Sequence, residues 1–84
     1  MLEVGTKLFH QGDMSNPSCE GTIVEIGNNF GPYYMVDFEG REKPTRIEAL
    51  MVKECTVEGI NNGLFRIVTL DSYKKALQSK ARSF

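Results

Sequence analysis

The 84-residue chain holds one histidine and two cysteines, and these are its first candidates for chemistry. His10 precedes Asp13 by three positions, a pairing that acid–base catalysis uses. No serine or cysteine stands in a motif with them, so His10 reads as a surface residue at a strand end. Cys19 and Cys55 lie far apart, and the chain contains neither Cys-x-x-Cys nor His-x-x-x-His. No metal site is therefore expected. Asp37 and Glu39 have the period-2 spacing that puts two carboxylates on one strand face. Arg41 and Lys43 follow at once, and the four read as a solvated, charge-balanced rim. These residues predict no catalytic site, no cofactor and no enzyme.

Aromatic residues form the second group. In EGTIVEIGNNFGPYYMVDFEG, residues 20–40, two alternating apolar runs flank a loop of Gly, Asn, Phe and Pro. Tyr34, Val36 and Phe38 share one strand face and read as core. Phe30, in the loop, and Tyr33, on the opposite face, read as a partner-contacting surface, with Phe9 and Arg41 as further contacts. Ring faces attract cations, so such a group could hold a cation. The alternative is packing, because small barrels need large side chains to fill them. On the surface reading, replacing Phe30 and Tyr33 together by Ser leaves folding intact.

Charge narrows the partner class. The net charge of −1 conceals an asymmetry. Residues 1–54 carry nine acidic and five basic side chains, whereas residues 55–84 carry two acidic and five basic. An acidic body is a poor general binder of phosphate backbones. The uncancelled basic group is C-terminal: Lys74, Lys75, Lys80 and Arg82 are the candidate nucleic-acid contacts, with a merely solvated helix face as the alternative. Apolar residues make up 40% and charged residues 25%, an ordinary globular balance. No run approaches the ~18 apolar residues of a membrane-spanning helix. MLEVGTKLFHQ lacks a basic segment followed by an apolar one, so no secretory signal is expected. Both cysteines then read as reduced thiols in a cytoplasmic protein.

These residues need elements to position them. Val4–His10 reads as a first strand, followed by a long turn-rich loop, QGDMSNPSCEG. Thr22–Gly27 and Tyr33–Glu39 read as strands joined through Gly27–Pro32. Gly40–Lys43 is a polar turn, Pro44–Ile47 a short edge strand, and Glu48–Leu50 a single helical turn. Met51–Glu58 and Leu64–Leu70 read as a hairpin across Asn61-Asn62-Gly63. In DSYKKALQSKARSF, residues Tyr73, Ala76, Leu77, Ala81 and Phe84 fall on one helical face, with Asp71 or Ser72 as N-cap. The expected core is Leu8, one phase of Ile23, Val24 and Ile26, then Val36, Phe38, Leu50 and Val52. One domain spans 1–84: a barrel over 4–54, a hairpin extension over 55–70 and a helix over 71–84. The fold class is mainly β.

The order strand, long loop, strand, hairpin, strand, short turn, short strand, helical turn, strand resembles the SH3-like small barrel, in its KOW and Tudor-type branches. The matching residues are Val4–Leu8, Gly21–Val24, Tyr34–Phe38 and Arg46–Leu50. A Tudor-type barrel implies an aromatic cage for a methylated Lys or Arg. A KOW-type barrel implies contact with RNA or an RNA-associated protein through Lys7, Arg41, Lys43 and Arg46, whose field Glu39, Glu42 and Glu48 largely cancel. The loose pattern Gly…Gly-x-Ile-Val…Tyr-x-Val…Ala-Leu is also similar to plasmid-borne type II dihydrofolate reductase. The Val-Gln-Ile-Tyr segment that carries that family's site is absent, and Pro44–Glu48 stands in its place. The expectation is a small adaptor recognising another protein, a second copy of itself included. A nucleic-acid-associated accessory protein is the alternative.

Overall fold

A computed structural model describes residues 2–12, 17–62 and 66–82, with the side chains at 61–62 and 80–82 outside the description. The elements are β1 (Lys7–His10), β2 (Cys19–Asn28), β3 (Pro32–Phe38), β4 (Thr45–Glu48), a 3-10 turn (Ala49–Met51), β5 (Val52–Lys53), α1 (Val57–Asn62), β6 (Ile67–Thr69) and α2 (Leu70–Arg82). The class is mainly β, as the sequence predicts. The six strands form one curled half-barrel sheet in the order β4-β3-β2-β1-β6-β5. This shape is consistent with an SH3-like barrel at the level of pattern. No helix among the described residues is long and apolar enough to cross a membrane.

Alternation builds the concave face. Leu8, Ile23, Tyr34, Val36, Phe38 and Ile67 are buried together there, and Leu2, Cys19, Ile47, Ala49 and Val52 pack against them. The Tyr34 hydroxyl, carried into this core, accepts the Leu2 backbone N–H at 3.1 Å, so its polar tip is satisfied. Gly21 lies between Leu8 on β1 and Phe38 on β3. Having no side chain, it leaves the space that the Phe38 ring fills. The sequence left the phase of β2 open, and a β-bulge decides it. The register shifts between Ile23 and Glu25, so Ile23 pairs with Val36 and, beyond the bulge, Ile26 pairs with Tyr34. Val24 is the extra residue and is exposed.

Several expectations change. The first strand begins at Lys7, because Gly5 takes a positive φ of 95° and turns the chain, leaving Val4 exposed. Leu50 is not core: the 3-10 turn points it outward, 70% exposed, while Ala49 packs inward. The 55–70 hairpin does not form. β5 pairs with β6 in parallel, and residues 54–66 supply the dozen or so residues that a parallel crossover requires. Thr56 nucleates α1 within that crossover. Its side chain accepts the Gly59 N–H at 2.9 Å and its carbonyl accepts the Ile60 N–H at 3.0 Å. The helix lays Val57 and Ile60 against Val68, Cys55 and Ala76, a burial that outweighs the local turn preference of Asn-Gly.

The convex face is thereby covered over β1 and β6. Phe9 stacks on Tyr73 of α2 with ring centroids 4.3 Å apart. Thr69, rather than Asp71 or Ser72, precedes the helix. Ser72 Oγ accepts Thr69 Oγ1–H at 2.6 Å and the Cys55 N–H at 2.8 Å, and donates to the Thr69 carbonyl at 2.9 Å. This small buried network ties α2 to the segment entering α1. Ser72→Ala leaves the buried Cys55 N–H without its acceptor, and the expected loss is about 1–3 kcal/mol in urea melts. A loss below about 0.5 kcal/mol would mean the network contributes little.

Candidate functional site

β2 and β3 extend past the helices to a three-residue tip. Asn28 and Pro32 form the last pair, and Asn29, Phe30 and Gly31 close the turn. The Asn29 N–H donates to the Gly31 carbonyl at 3.1 Å. Phe30 adopts φ 60° and Gly31 φ 107°. Left-handed backbone is ordinary for Gly but costs a bulky residue about 1–3 kcal/mol. Phe30 gains no packing in return, since it is 94% exposed.

Behind it, on the convex face, Tyr33 lies opposite Gly27 on β2 and Glu48 on β4. A Cβ at Gly27 would meet the Tyr33 ring at 2.4 Å, so the ring lies across the glycine backbone. The Arg46 guanidinium sits 4.2 Å from the Tyr33 ring centroid. The same group donates from Nη2 to the Asn29 carbonyl at 2.6 Å and from Nε to Glu48 Oε1 at 3.1 Å. Arg46 thus clamps the turn to the edge of the sheet and occupies the ring as its cation. Tyr33 is consequently half-buried and has a structural task. Replacing Tyr33 by Ser would remove the ring that lies over Gly27 and under Arg46.

The structure places Phe30 and Tyr33 at one end of the β2–β3 pair, and Phe9 and Arg41 at the other. Phe9 pairs with Glu20, at the other end of β2 and roughly 25 Å along the strand from the tip, eight residues at ~3.3 Å each. Arg41 follows β3 at that same far end. Its guanidinium lies 5.0 Å from the Phe38 ring centroid and donates to Thr45 Oγ1 at 2.9 Å. There it borders a cleft of about 440 Å³ where Lys7 and Arg41 face Glu20, Asp37 and Glu39. Lys74 and Lys75 are exposed on α2. Lys80 and Arg82 belong to the same helix, but their side chains fall outside the described residues. Sequence reasoning weighed Arg46 only as one of several loop cations. Its alternation with Glu48 on an edge strand was the signal of a clamp.

His10 is buried rather than superficial. Its Nδ1 accepts the Gly12 N–H at 2.9 Å and its ring meets Phe38 edge-on at 6.0 Å. An accepting Nδ1 places the ring proton on Nε2. Asp13, its supposed companion, lies outside the described residues. Both cysteines are free thiols. Burial raises the pKa of the Cys55 thiol above the ordinary 9.0. The stabilisation this reflects is complete below the unfolded thiol's pKa and is lost as pH rises through the folded value. Native protein should therefore alkylate at Cys19 well before Cys55, and unfolded protein at both. Iodoacetamide labelling followed by mass spectrometry reads this directly. Equal native rates, or a single bridged species, would contradict it.

The fold and tip define a small, mainly β protein with a curled half-barrel sheet and, among the described residues, one aromatic displayed on a turn. No family model, no curated protein and no solved structure matches this chain.

Proposed function

We propose that this protein is a non-catalytic binding module of the SH3-like kind, which recognises another protein through the β2–β3 tip. Phe30 carries the reading. An aromatic side chain in left-handed backbone, 94% exposed and adjoining an organised Tyr33–Arg46–Glu48 platform, is costly for folding and suited to insertion into a partner. Arg46 holds the Asn29 carbonyl, so the tip is preorganised and loses little conformational freedom on binding. Two unpaired thiols fit a reducing compartment, the cytoplasm.

Phe30→Asn tests the proposal, because Asn tolerates left-handed backbone. Stability should be unchanged or rise by up to about 1 kcal/mol. Partner capture should be lost in parallel pull-downs from the native host, with the captured protein identified by mass spectrometry and rebound in purified form. A variant that captures the same partner as wild type overturns the reading. So does salt-sensitive binding of RNA or DNA that Lys74→Glu with Lys75→Glu abolishes and Phe30→Asn leaves intact.

A further inference from the structure

The sheet has two ends, and they differ. β5 is two residues long and carries Lys53, a short charged edge of the kind that resists pairing. β4 is longer, ends the sheet beyond β3, and contains no proline or bulge within Thr45–Glu48. Immediately after it the chain leaves Leu50 and Met51 uncovered, 70% and 53% exposed. We propose that the occupant of this edge is a second copy of the same chain, paired antiparallel to β4 about a two-fold axis at Ile47.

Charge and pleat select the register. A two-fold axis normal to the sheet keeps the convex faces of both copies on one side. Opposed residues must then point the same way, so the axis must pass through a residue rather than between two. Centred on Arg46, the pairing opposes two arginines. Centred on Glu48, it opposes two glutamates. Centred on Ile47, it sets Arg46 of each copy opposite Glu48 of the other, extending the Arg46–Glu48 pair already present at 3.1 Å within each chain. The same antiparallel arrangement brings the 3-10 turn of each copy, with its exposed Leu50, to the end of the other copy's β4 that the exposed Pro44 precedes. A four-residue edge covers less than the ~800 Å² per partner of a standard interface, so the dimer is weak and concentration-dependent. This inference stands apart from the role of Phe30, which lies at the tip and not on the edge.

Sedimentation equilibrium of the full chain up to millimolar concentration tests it. Wild type should pass from monomer to dimer, and Phe30→Asn should do the same whatever becomes of its partner binding. Glu48→Arg alone and Arg46→Glu alone should each raise the dimer dissociation constant by about tenfold or more, with an equimolar mixture of the two again dimeric. Arg46 also clamps the tip, so Leu50→Asp, at an exposed site, is the second means of breaking the dimer, with circular dichroism verifying the fold. A wild type monomeric at millimolar concentration overturns the proposal. So does a dimer that survives both Glu48→Arg and Leu50→Asp, or a charge-reversed mixture that stays monomeric.

Discussion

Phe38→Ala should lower the unfolding free energy by about 3–5 kcal/mol, the range for truncating a buried Phe. At ~0.05–0.15 kcal/mol per residue, a chain of this length has about 4–13 kcal/mol in all, so the variant should sit near the edge of folding. Phe38 is 1% exposed and joins both layers of its surroundings. His10 meets it edge-on within the sheet, and the Arg41 guanidinium covers its ring from the β3–β4 turn. Neither neighbour can fill the space of a lost ring: His10 is held by Gly12, and Arg41 carries a charge that must stay hydrated. The chain lacks tryptophan, so urea melts followed by circular dichroism and tyrosine emission are the suitable probes. A loss under about 1 kcal/mol would remove Phe38 from the core.

Gly21→Ala should destabilise by about 1–3 kcal/mol for the opposite reason, overpacking. The backbone at Gly21 does not have positive φ, so the added methyl brings no conformational strain. It brings a collision. A Cβ there would lie 2.7 Å from Phe38 Cδ1 and 2.7 Å from Val36 Cγ1, and both side chains are fully buried and unable to withdraw. The two substitutions contest one volume, so they should couple. With Phe38→Ala in place, the Gly21 methyl enters the vacated space, and the double variant should be less destabilised than the sum of the singles by about 0.5 kcal/mol or more. Strict additivity would mean that Gly21 is required for some reason other than the ring beside it.

Neither substitution touches the tip. A folded fraction of Gly21→Ala should therefore still bind a Phe30-dependent partner, which separates the scaffold from the surface it displays.

Local pattern was enough for the parts of this protein whose partners are near in sequence. The alternation of Tyr34, Val36 and Phe38 identified the buried face of β3, because a strand offers only two faces and a Gly/Asn-rich turn ties it to its neighbour. The change to a 3.6-residue period identified α2, and the single helical turn read at Glu48–Leu50 forms one residue later, at Ala49–Met51. Phe30 was placed outside the core for the same local reason. Tertiary structure decided the rest. Periodicity separates faces without saying which is covered, so Val68 became buried and Phe9 partly buried only because α1 and α2 dock on the convex side of β1 and β6. The bulge at Val24 reversed the phase of β2 midway, an event set by pairing with β3 rather than by β2's own residues. Asn61-Asn62-Gly63 signals a hairpin in isolation. The Thr56 cap and the burial of Val57 and Ile60 favour a helix, and with it a parallel crossover that no local rule selects. Leu50 is apolar enough for a core. The 3-10 turn admits Ala49 instead and leaves Leu50 outside, because only one side of so tight a turn can face the concave sheet.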